Sequence, residues 1–425
     1  MTITMTTRPT QMTQPPAADV DDTRERLSVA HLFGFLIGRR ESIVVAARDR
    51  ATLIVGFLFV MAAALAREYD GEDLRREPWH LLIPLAASLG LSFLLFVIVR
   101  RWGNPERTFW GEYRSFLGLF WLTAPLALLY GIPYERFLSP LGAVQANLWT
   151  LAIVAAWRVA LMTRVVSVVT GRSAIASFFL VFVLADLLAA CLLLIVPVPT
   201  LQVMGGIRLT EAEHLLQSIS YTVAVCAVLS SPLWLLTAII SWVKSRDAAP
   251  PPPPPLRPTA GPASRGILTL AVAAIAMWLV FLPFTQREQR LRSDAERMLR
   301  GGDIRAALAA MSRHERHDYP PAWDPPPRIG WPEPEQPPVM DVMKVLAAEP
   351  DAPWVRELYI DKFERRWLHS VAYWNDENLA ELLAVLDTLP EGAALKQKHS
   401  DMIGVARSAT QPALTTTSTT QPGAP

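Results

Sequence analysis

Two ionisable side chains lie inside long apolar stretches of the sequence, where a charge is costly. Asp186 has at least six apolar residues on each side, and Arg158 interrupts the preceding apolar stretch. A charged residue within a membrane-spanning helix costs a few kcal/mol on insertion scales, so such residues are rare and often functional. Because only a short segment joins the two stretches, they should form antiparallel neighbouring helices, in which Arg158 could reach Asp186.

This candidate polar pair has three interpretations. The simplest is a structural ion pair that connects the two helices, since pairing lowers the cost of burying both charges. A transport or proton-relay role for Arg158 and Asp186 is the functional alternative. Arg158 could also extend its long side chain to the membrane interface.

A second candidate is the sequence Ser230-Ser231-Pro232, near the middle of another apolar stretch. Proline has no backbone N–H and crowds the preceding turn, so this sequence predicts a kinked helix. Broken helices with exposed backbone groups line the substrate sites of some transporters. Proline kinks are also common in membrane helices without a substrate site, which is the simpler interpretation.

The segment Arg67–His80 is the most polar of the short loops, and its carboxylates could bind a hard cation. The candidate ligands are Asp70, Glu72, Asp73, Glu77 and His80. Their spacing matches no EF-hand loop and no other defined metal signature. A solvated hairpin is the simpler interpretation, so the sequence predicts no metal site.

Other signatures of catalysis are absent from the sequence. It contains no phosphate-binding glycine loop, nucleophile elbow, zincin helix or paired-cysteine knuckle, so we expect no cofactor and do not favour an enzyme. His314, His317 and Asp318 lie among charged residues, which indicates a solvated helix end. Cys191 and Cys226 lie in apolar stretches, where cysteine usually behaves as a small buried hydrophobe.

Long apolar stretches must position these candidates. Residues Leu81–Val99 carry no charge over 19 positions, and as a helix they would extend about 28 Å, close to the ~30 Å hydrocarbon core of a bilayer. Further apolar stretches lie at about 51–66, 116–132, 144–163, 174–196, 219–243 and 267–284. The sequence therefore predicts a polytopic membrane helix bundle of about seven spans.

The overall composition fits a membrane protein and gives no support for nucleic-acid binding. Of the 425 residues, 51% are hydrophobic and 19% are charged, with 40 Lys and Arg nearly balancing 39 Asp and Glu. A net charge of +1 provides no electrostatic reason to expect DNA or RNA as a partner.

Basic residues alternate between loops and predict the orientation in the cell membrane. They precede the first span and follow the second, fourth and sixth, whereas the intervening loops are acidic or sparsely charged. By the positive-inside rule, the N-terminus is cytoplasmic. Seven spans would place the C-terminal region outside, but the nearby arginines disfavour crossing: Arg287, Arg290, Arg292 and Arg297. Either a long domain overrides the rule here, or one span is re-entrant or miscounted.

Changes in composition predict the domain boundaries. The expected order is a disordered tail (1–29), an amphipathic or juxtamembrane helix (30–50), a six-span bundle (51–243), a proline-rich linker (244–266), the seventh span (267–284), a helical soluble domain (285–407) with a proline-rich insertion (319–338), and a disordered tail (408–425).

The predicted fold is therefore all-α: a membrane helix bundle followed by a small soluble α-helical C-terminal domain. The expected surroundings are the lipid bilayer, with a possible protein partner at the C-terminal domain. These features favour a membrane-anchored interaction or assembly protein. The alternative is a transporter or channel for a small solute or ion that uses Asp186 and Arg158.

Overall fold

The computed structural model describes residues 26–100, 108–191, 210–247, 264–328, 338–348, 352–366, 368 and 376–404 except 402. The predicted tails lie almost entirely outside these residues, as do most of the proline-rich linker and part of the proline-rich insertion. Within the described chain, α-helices and short 3-10 helices are the only regular secondary structure, which confirms the all-α prediction.

The helices follow the order of the predicted spans and then continue into the C-terminal region. The first part of the chain forms α1 (Val29–Leu36), α2 (Arg40–Arg48), α3 (Ala51–Glu68), α4 (Leu82–Val99), α5 (Phe109–Trp121), α6 (Pro140–Thr170), α7 (Ala174–Ala190), α8 (Glu211–Asp247) and α9 (Arg265–Arg300). The last part forms α10 (Ile304–Ser312), α11 (Val339–Ala348), α12 (Pro353–Arg366), α13 (Asp376–Thr388) and α14 (Gly392–Lys398). Short 3-10 helices lie at Pro78–Leu81, Ala124–Gly131, Tyr134–Arg136 and Arg316–Asp318.

Six helical segments within the described chain are long and apolar enough to cross a membrane, which indicates a membrane protein. They are Ala51–Glu68, Pro78–Val99, Phe109–Arg136, Pro140–Thr170, Glu211–Lys244 and Arg265–Arg300. The fifth predicted span forms α7, which is apolar but only 17 residues long. At the helical rise it extends about 26 Å, somewhat less than a typical hydrocarbon core.

Apolar side chains cover the outside of this bundle as well as its interior. The apolar parts of α8 and α9 are only 17% buried, and Leu229 and Phe284 are 75% and 73% exposed. Soluble proteins rarely expose contiguous apolar surface on this scale. These faces fit contact with lipid, where apolar exposure carries no penalty.

The third predicted span is not one continuous helix. The α-helix ends at Trp121, and Pro125 lies in the first turn of a 3-10 helix. Proline lacks the N–H that would continue the helical hydrogen bonds, so the backbone tightens at this point. Irregular backbone is tolerated at membrane depth where it is surrounded by protein, and this segment is 67% buried.

Two glycines allow α3 and α5 to approach closely at the centre of the bundle. A Cβ atom built on Gly56 would lie 2.8 Å from the Trp121 Cβ atom and 3.2 Å from the Gly118 carbonyl oxygen. A Cβ atom on Gly118 would lie 3.2 Å from the Leu53 nitrogen. Small residues at such crossings are typical of membrane helix packing, where close van der Waals contact drives association.

The predicted juxtamembrane segment 30–50 packs into one end of the bundle. Phe35 and Ile43 are fully buried in the same core as the spans. The Trp157 indole N–H donates to the Leu36 carbonyl at 2.9 Å, and Arg164 donates to the Gly38 carbonyl at 3.2 Å. Helices α1 and α2 are therefore anchored to α6.

The C-terminal helices surround a second core that includes the end of α9. Ala295 and Leu299 pack in this core with Tyr319, Trp323 and residues of the later helices. Because α9 is continuous over 36 residues, there is no break between the predicted seventh span (267–284) and the start of the predicted soluble domain at residue 285. One helix of about 54 Å thus runs from the bundle into the C-terminal region.

Candidate functional site

A polar loop wraps around α9 where this helix leaves the apolar bundle. The Gln286 side chain is only 5% exposed and makes three hydrogen bonds with the loop. Its Nε2 donates to the Tyr69 carbonyl at 3.1 Å and to the Glu72 carbonyl at 2.9 Å. Its Oε1 accepts from the Leu74 N–H at 2.8 Å. Since a buried amide must satisfy both its donors and its acceptor, Gln286 fixes the loop against the helix.

The next two turns of α9 continue this contact along the same helix face. Gln289 donates to the Asp70 carbonyl, and Arg292 donates to the Gly71 carbonyl at 2.6 Å. Residues three or four apart lie on one face of a helix, so Gln289 and Arg292 extend the row that begins at Gln286. The loop backbone therefore follows α9 for more than one turn.

An apolar cluster supports the loop from the bundle side. Tyr69 packs on Trp278 with ring centroids 4.9 Å apart, and its hydroxyl donates to the Gly131 carbonyl at 3.1 Å. A Cβ atom on Gly131 would collide with the Trp278 ring, so only glycine fits there. Tyr69 thus connects the loop, α9 and the broken third segment.

Glu296 is the centre of the contact between α9 and the segment 323–328. This carboxylate is 5% exposed. It accepts from the Trp323 indole N–H at 2.8 Å, from Arg292 at 3.1 Å, from Arg300 at 2.9 Å, and from Arg328. Burial alone would raise the pKa of Glu296, but Arg328, Arg292 and the Trp323 hydrogen bond hold it below the usual value.

Two ion pairs connect other loops to α9. Arg136 pairs with Glu288 in a bidentate geometry, with N–O distances of 3.1 and 2.7 Å. Arg76 pairs with Asp294 at 2.7 Å. Bidentate pairs add directional specificity to charge attraction. The loops after the first and third spans therefore both contact the polar half of α9.

Two adjoining cavities lie in this region, and Arg292 and Arg328 line both. The first has a volume of about 420 Å³ and includes Asp70, Glu135 and Arg136 in its lining. The second has a volume of about 740 Å³ and includes Glu72, Glu77, His80 and several arginines. Mixed charges of this density suit a small polar or ionic ligand better than an apolar one. We refer to the two cavities together as the interfacial cleft.

Asp70 is the carboxylate in the cleft with the most altered acidity. Burial and the neighbouring Glu135 raise the pKa of Asp70 to about 6, although Arg136 acts in the opposite direction. Close to neutral pH this group therefore exchanges a proton more readily than an ordinary aspartate.

The structure brings together part of the acidic loop that the sequence singled out. Three ligand atoms lie within 4.8 Å of one another, one each from Glu72, Glu77 and His80. His80 Nε2 lies 2.9 Å from Glu77 Oε2. Asp70 lines the first cavity, whereas Asp73 lines the second.

Within the bundle, the predicted kink sequence supplies the partners of Asp186. Ser230 Oγ donates to the Asp186 carboxylate at 3.2 Å, and Ser231 Oγ lies 3.0 Å from the same oxygen. Ser231 Oγ also lies 2.6 Å from the Ala227 carbonyl, four residues earlier in the same helix. Two candidates that the sequence treated separately thus form one polar cluster between α7 and α8. Pro232 lies inside α8, and the helix continues through it.

Arg158 lies apart from this cluster. Its guanidinium is 5.8 Å from the centre of the Phe120 ring, a distance that permits a cation–π contact. The described residues form no ion pair between Arg158 and Asp186, because Asp186 hydrogen-bonds to α8 rather than α6. The expected pairing is therefore not found.

Two smaller expectations about single residues can also be compared with the structure. Cys191 and Cys226 are free and exposed, so the expectation that they are buried inside the protein is wrong. His317 lies 3.0 Å from Glu315 on an exposed surface, and His314 lies 3.8 Å from Asp318. Both histidines thus form ordinary contacts near the end of α10.

Sequence reasoning missed the polar face of α9 as part of the candidate site. The residues in question are Gln286, Gln289, Arg292 and Glu296. A usable signal existed, because their spacing of three and four places them on one face of a helix that follows directly from an apolar span. The abrupt change from apolar to polar residues near Phe284 instead indicated a domain boundary.

The described chain therefore combines six helical segments that are long and apolar enough to cross a membrane with a charged cleft at the surface of the bundle. No protein family, curated protein or solved structure matches the chain.

Proposed function

We propose that this chain is a membrane-anchored interaction protein that holds its helical C-terminal domain in a fixed orientation at one face of the bilayer. The observation that carries the proposal is the continuity of α9, which belongs to both the apolar bundle and the second core. A helix without a break transmits the orientation of the bundle to the domain that it enters. The bundle is the anchor, and the domain is the part that a partner protein contacts.

The buried polar contacts around α9 support a fixed rather than a tethered domain. A net hydrogen bond contributes about 0.5–1.5 kcal/mol, and a buried group left without a partner costs about 1–3 kcal/mol. Gln286 and Glu296 together make hydrogen bonds with two separate segments of the chain. A domain that needs only proximity to the membrane requires no such contacts, so the fixed orientation itself suggests a function.

We further propose seven crossings, with the N-terminus in the cytoplasm and the C-terminal domain on the other side. Helix α1 lies near the start of α9, where Val29 is 3.6 Å from a Cβ atom built on Gly266. The C-terminal domain contacts the opposite ends of the spans, including Glu213 at the start of α8, which lies 3.9 Å from Arg365. An odd number of crossings separates two such ends, and α7 supplies the seventh. The basic N-terminal residues favour the cytoplasmic side.

Photo-crosslinking in native membranes tests the interaction role. A photoreactive amino acid would replace exposed residues on three helices of the C-terminal domain: Arg305, Lys344 and Glu377. We expect a discrete crosslinked protein from at least one site, and at least a fivefold lower yield when Gln286→Ala and Glu296→Gln weaken the fixed orientation. Val280, which is 64% exposed on the apolar face, is the control position and should crosslink to lipid. Absence of a protein adduct from all three sites, or a yield unaffected by Gln286→Ala and Glu296→Gln, would contradict the proposal.

Cysteine labelling tests the orientation. In a background in which Cys191 and Cys226 are replaced by serine, single cysteines would be placed at Arg40 and Lys398, both exposed. A membrane-impermeant maleimide should label Lys398→Cys in intact cells and Arg40→Cys only after lysis. Labelling of both positions from the same side would show an even number of crossings.

A transport role is the second candidate, and it rests on the cluster of Asp186, Ser230 and Ser231. A carboxylate that accepts from hydroxyls within an apolar bundle can bind a proton or a small cation. Purified protein in vesicles should then carry a flux of protons or of a small cation. Asp186→Asn should abolish this flux, while Ser177→Ala, on the same helix, should leave it unchanged. If flux survives Asp186→Asn combined with Arg158→Gln, these residues do not carry it.

A further inference from the structure

A mixed set of metal-binding side chains lies at the edge of the interfacial cleft. Glu72, Glu77 and His80 each offer one ligand atom, and these atoms lie within 4.8 Å of one another. Glu72 and His80 are partly buried, whereas the Glu77 side chain is 49% exposed. All three line the larger cavity of about 740 Å³. Glu72 accepts from Gln286 of α9 through its carbonyl oxygen at 2.9 Å, and its side chain contacts Arg292 of α9 only at 3.7 Å.

The separation of these atoms is slightly larger than a single metal ion requires. Zinc bonds to nitrogen and oxygen ligands measure about 2.0–2.2 Å, so two ligands of one ion lie at most about 4.4 Å apart. His80 Nε2 and Glu77 Oε2 are already 2.9 Å apart. Ligand atoms as much as 4.8 Å apart would have to move about 0.4 Å closer to share one ion.

Local structure holds the histidine in place. His80 lies in the 3-10 helix Pro78–Leu81, and its N–H donates to the Glu77 carbonyl at 3.2 Å. The Trp79 ring packs against the imidazole with centroids 3.9 Å apart. Glu77 in turn donates its N–H to the Asp73 carbonyl at 2.9 Å, which fixes the turn that carries both carboxylates. A pre-organised turn reduces the entropy lost when a ligand binds.

Asp73 provides an independent observation at the same place. It is only 4% exposed, it lines the same cavity, and its Oδ2 accepts no hydrogen bond. Arg76 Nε forms an ion pair with this oxygen at 3.6 Å, which is too long for a hydrogen bond. Burial of a carboxylate oxygen without a hydrogen bond is costly, so such an oxygen is explained by a positive ion or by a donor such as bound water.

Arg292 does not need Glu72 as a partner. Its contact with Glu72 is long, at 3.7 Å. It also donates to the Gly71 carbonyl, to Gln289 and to Glu296, at 2.6, 3.2 and 3.1 Å. Glu72 can therefore turn toward a metal ion while the guanidinium keeps three acceptors.

We propose that Glu72, Glu77 and His80 form a binding site for one divalent transition-metal ion at the surface of the membrane domain. Imidazole suits zinc, iron and nickel, whereas carboxylates alone would favour calcium or magnesium. The histidine thus directs the site toward Zn²⁺ rather than toward Mg²⁺, Ca²⁺ or Mn²⁺. Three protein ligands leave at least one position for water in a tetrahedral site.

Metal titration of the full-length protein in detergent tests this site. With the purification tag removed, equilibrium dialysis against Zn²⁺ should give one bound ion per chain, and Mn²⁺, Mg²⁺ and Ca²⁺ should bind much more weakly. His80→Gln, and separately Glu72→Gln combined with Glu77→Gln, should weaken Zn²⁺ binding by at least tenfold, because even the loss of an outer-shell group costs about 10–100-fold.

His317→Gln is the matched control, because His317 contacts a glutamate at 3.0 Å without a third ligand. It should leave binding unchanged. Co²⁺ absorption of the unmodified protein, with bands of a tetrahedral or five-coordinate ion, provides a measurement that needs no variant. Equal Zn²⁺ affinity in His80→Gln and the unmodified protein, loss of binding in His317→Gln, or Co²⁺ bands typical of the hydrated ion would each overturn the proposal.

Discussion

At the scale of single residues, Glu296 joins four other side chains. It accepts from arginines on its own helix and from Trp323 and Arg328 in a separate segment. A buried carboxylate with several donors is strongly coupled to each of them. Removal of its charge therefore affects both the helix and the segment that packs on it.

Glu296→Gln should weaken the C-terminal domain. A glutamine retains the shape but leaves three arginines without their shared counter-charge, so we expect a loss of about 3 kcal/mol in the free energy of unfolding of this region. Pulse proteolysis of the full-length protein across a urea series measures this loss of unfolding free energy. The control is Asp294→Asn, whose carboxylate pairs with arginine on the exposed side of the same helix and should cost less than about 1 kcal/mol. Equal effects of Glu296→Gln and Asp294→Asn would contradict the central position of Glu296.

Acid should release the same contact. The pKa of Glu296 is held below its usual value of 4.5, mainly because Arg328 and Arg292 outweigh the effect of burial. A lowered pKa means that the stabilisation is complete above about pH 4.5 and is lost as the pH falls through the folded-state value. The pKa values of Glu364 and Glu391 are lowered as well, so they act in the same direction.

Digestion with an acid-active protease at a series of pH values between 7 and 3.5 measures this dependence. We expect greater cleavage near residues 323–328 at the acidic end, and a smaller effect of pH in Glu296→Gln. Unchanged or greater resistance at low pH would show that Glu296 is not ionised in the folded protein.

Single polar residues could be predicted from the sequence more easily than their partners. Asp186 was recognisable because it interrupts an apolar stretch, and so was the sequence Ser230-Ser231 beside Pro232. Their contact was not predictable, because 44 residues separate Asp186 from Ser230 and the sequence does not fix how two helices are rotated about their axes. For the same reason, the sequence does not determine which residues Arg158 contacts.

At the scale of elements, close packing of α3 on α5 depends on glycine. The α3 backbone near Gly56 lies against Gly118 and Trp121, with no room for a side chain. Insertion of extra atoms into a tightly packed contact usually costs about 1–3 kcal/mol. The two helices form the most enclosed part of the bundle.

Gly56→Val should therefore destabilise the bundle by about 2 kcal/mol or more. Gly90→Val is the matched control, because Gly90 also lies in an apolar span but has no atom within 4 Å of a built Cβ. Thermal unfolding in detergent should show a clear decrease for Gly56→Val and little change for Gly90→Val. A decrease of similar size in both variants would mean that glycine itself, rather than the helix contact, matters.

The positions of the helices were largely predictable, but their ends were not. Apolar runs of about twenty residues have few other solutions in a bilayer, so the spans at Leu81–Val99 and in α6 and α8 agree with the sequence. Pro125 lies within the third stretch, but its effect on the backbone depends on burial by neighbouring helices, which the sequence does not show. The length of α9 was missed because polar residues continued the helix where the apolar residues stopped.

At the scale of the whole molecule, the chain has two distinct ends. Helices α1 and α2 lie at one end, against Trp157 and Arg164 of α6. The interfacial cleft and the C-terminal domain lie at the other, where Arg136 precedes α6. Because α6 has 31 residues, its rise separates the two ends by about 46 Å.

The most direct test of the fixed orientation is a crosslink across the cleft in intact membranes. Arg136 and Ala322 line the same cavity, one on the bundle and one on the C-terminal domain. In a background in which Cys191 and Cys226 are replaced by serine, a short bis-maleimide should join cysteines at positions 136 and 322. It should not join cysteines at positions 136 and 40, which lie at opposite ends of α6. If each single cysteine is labelled but positions 136 and 322 are never joined, the C-terminal domain is not held against the bundle.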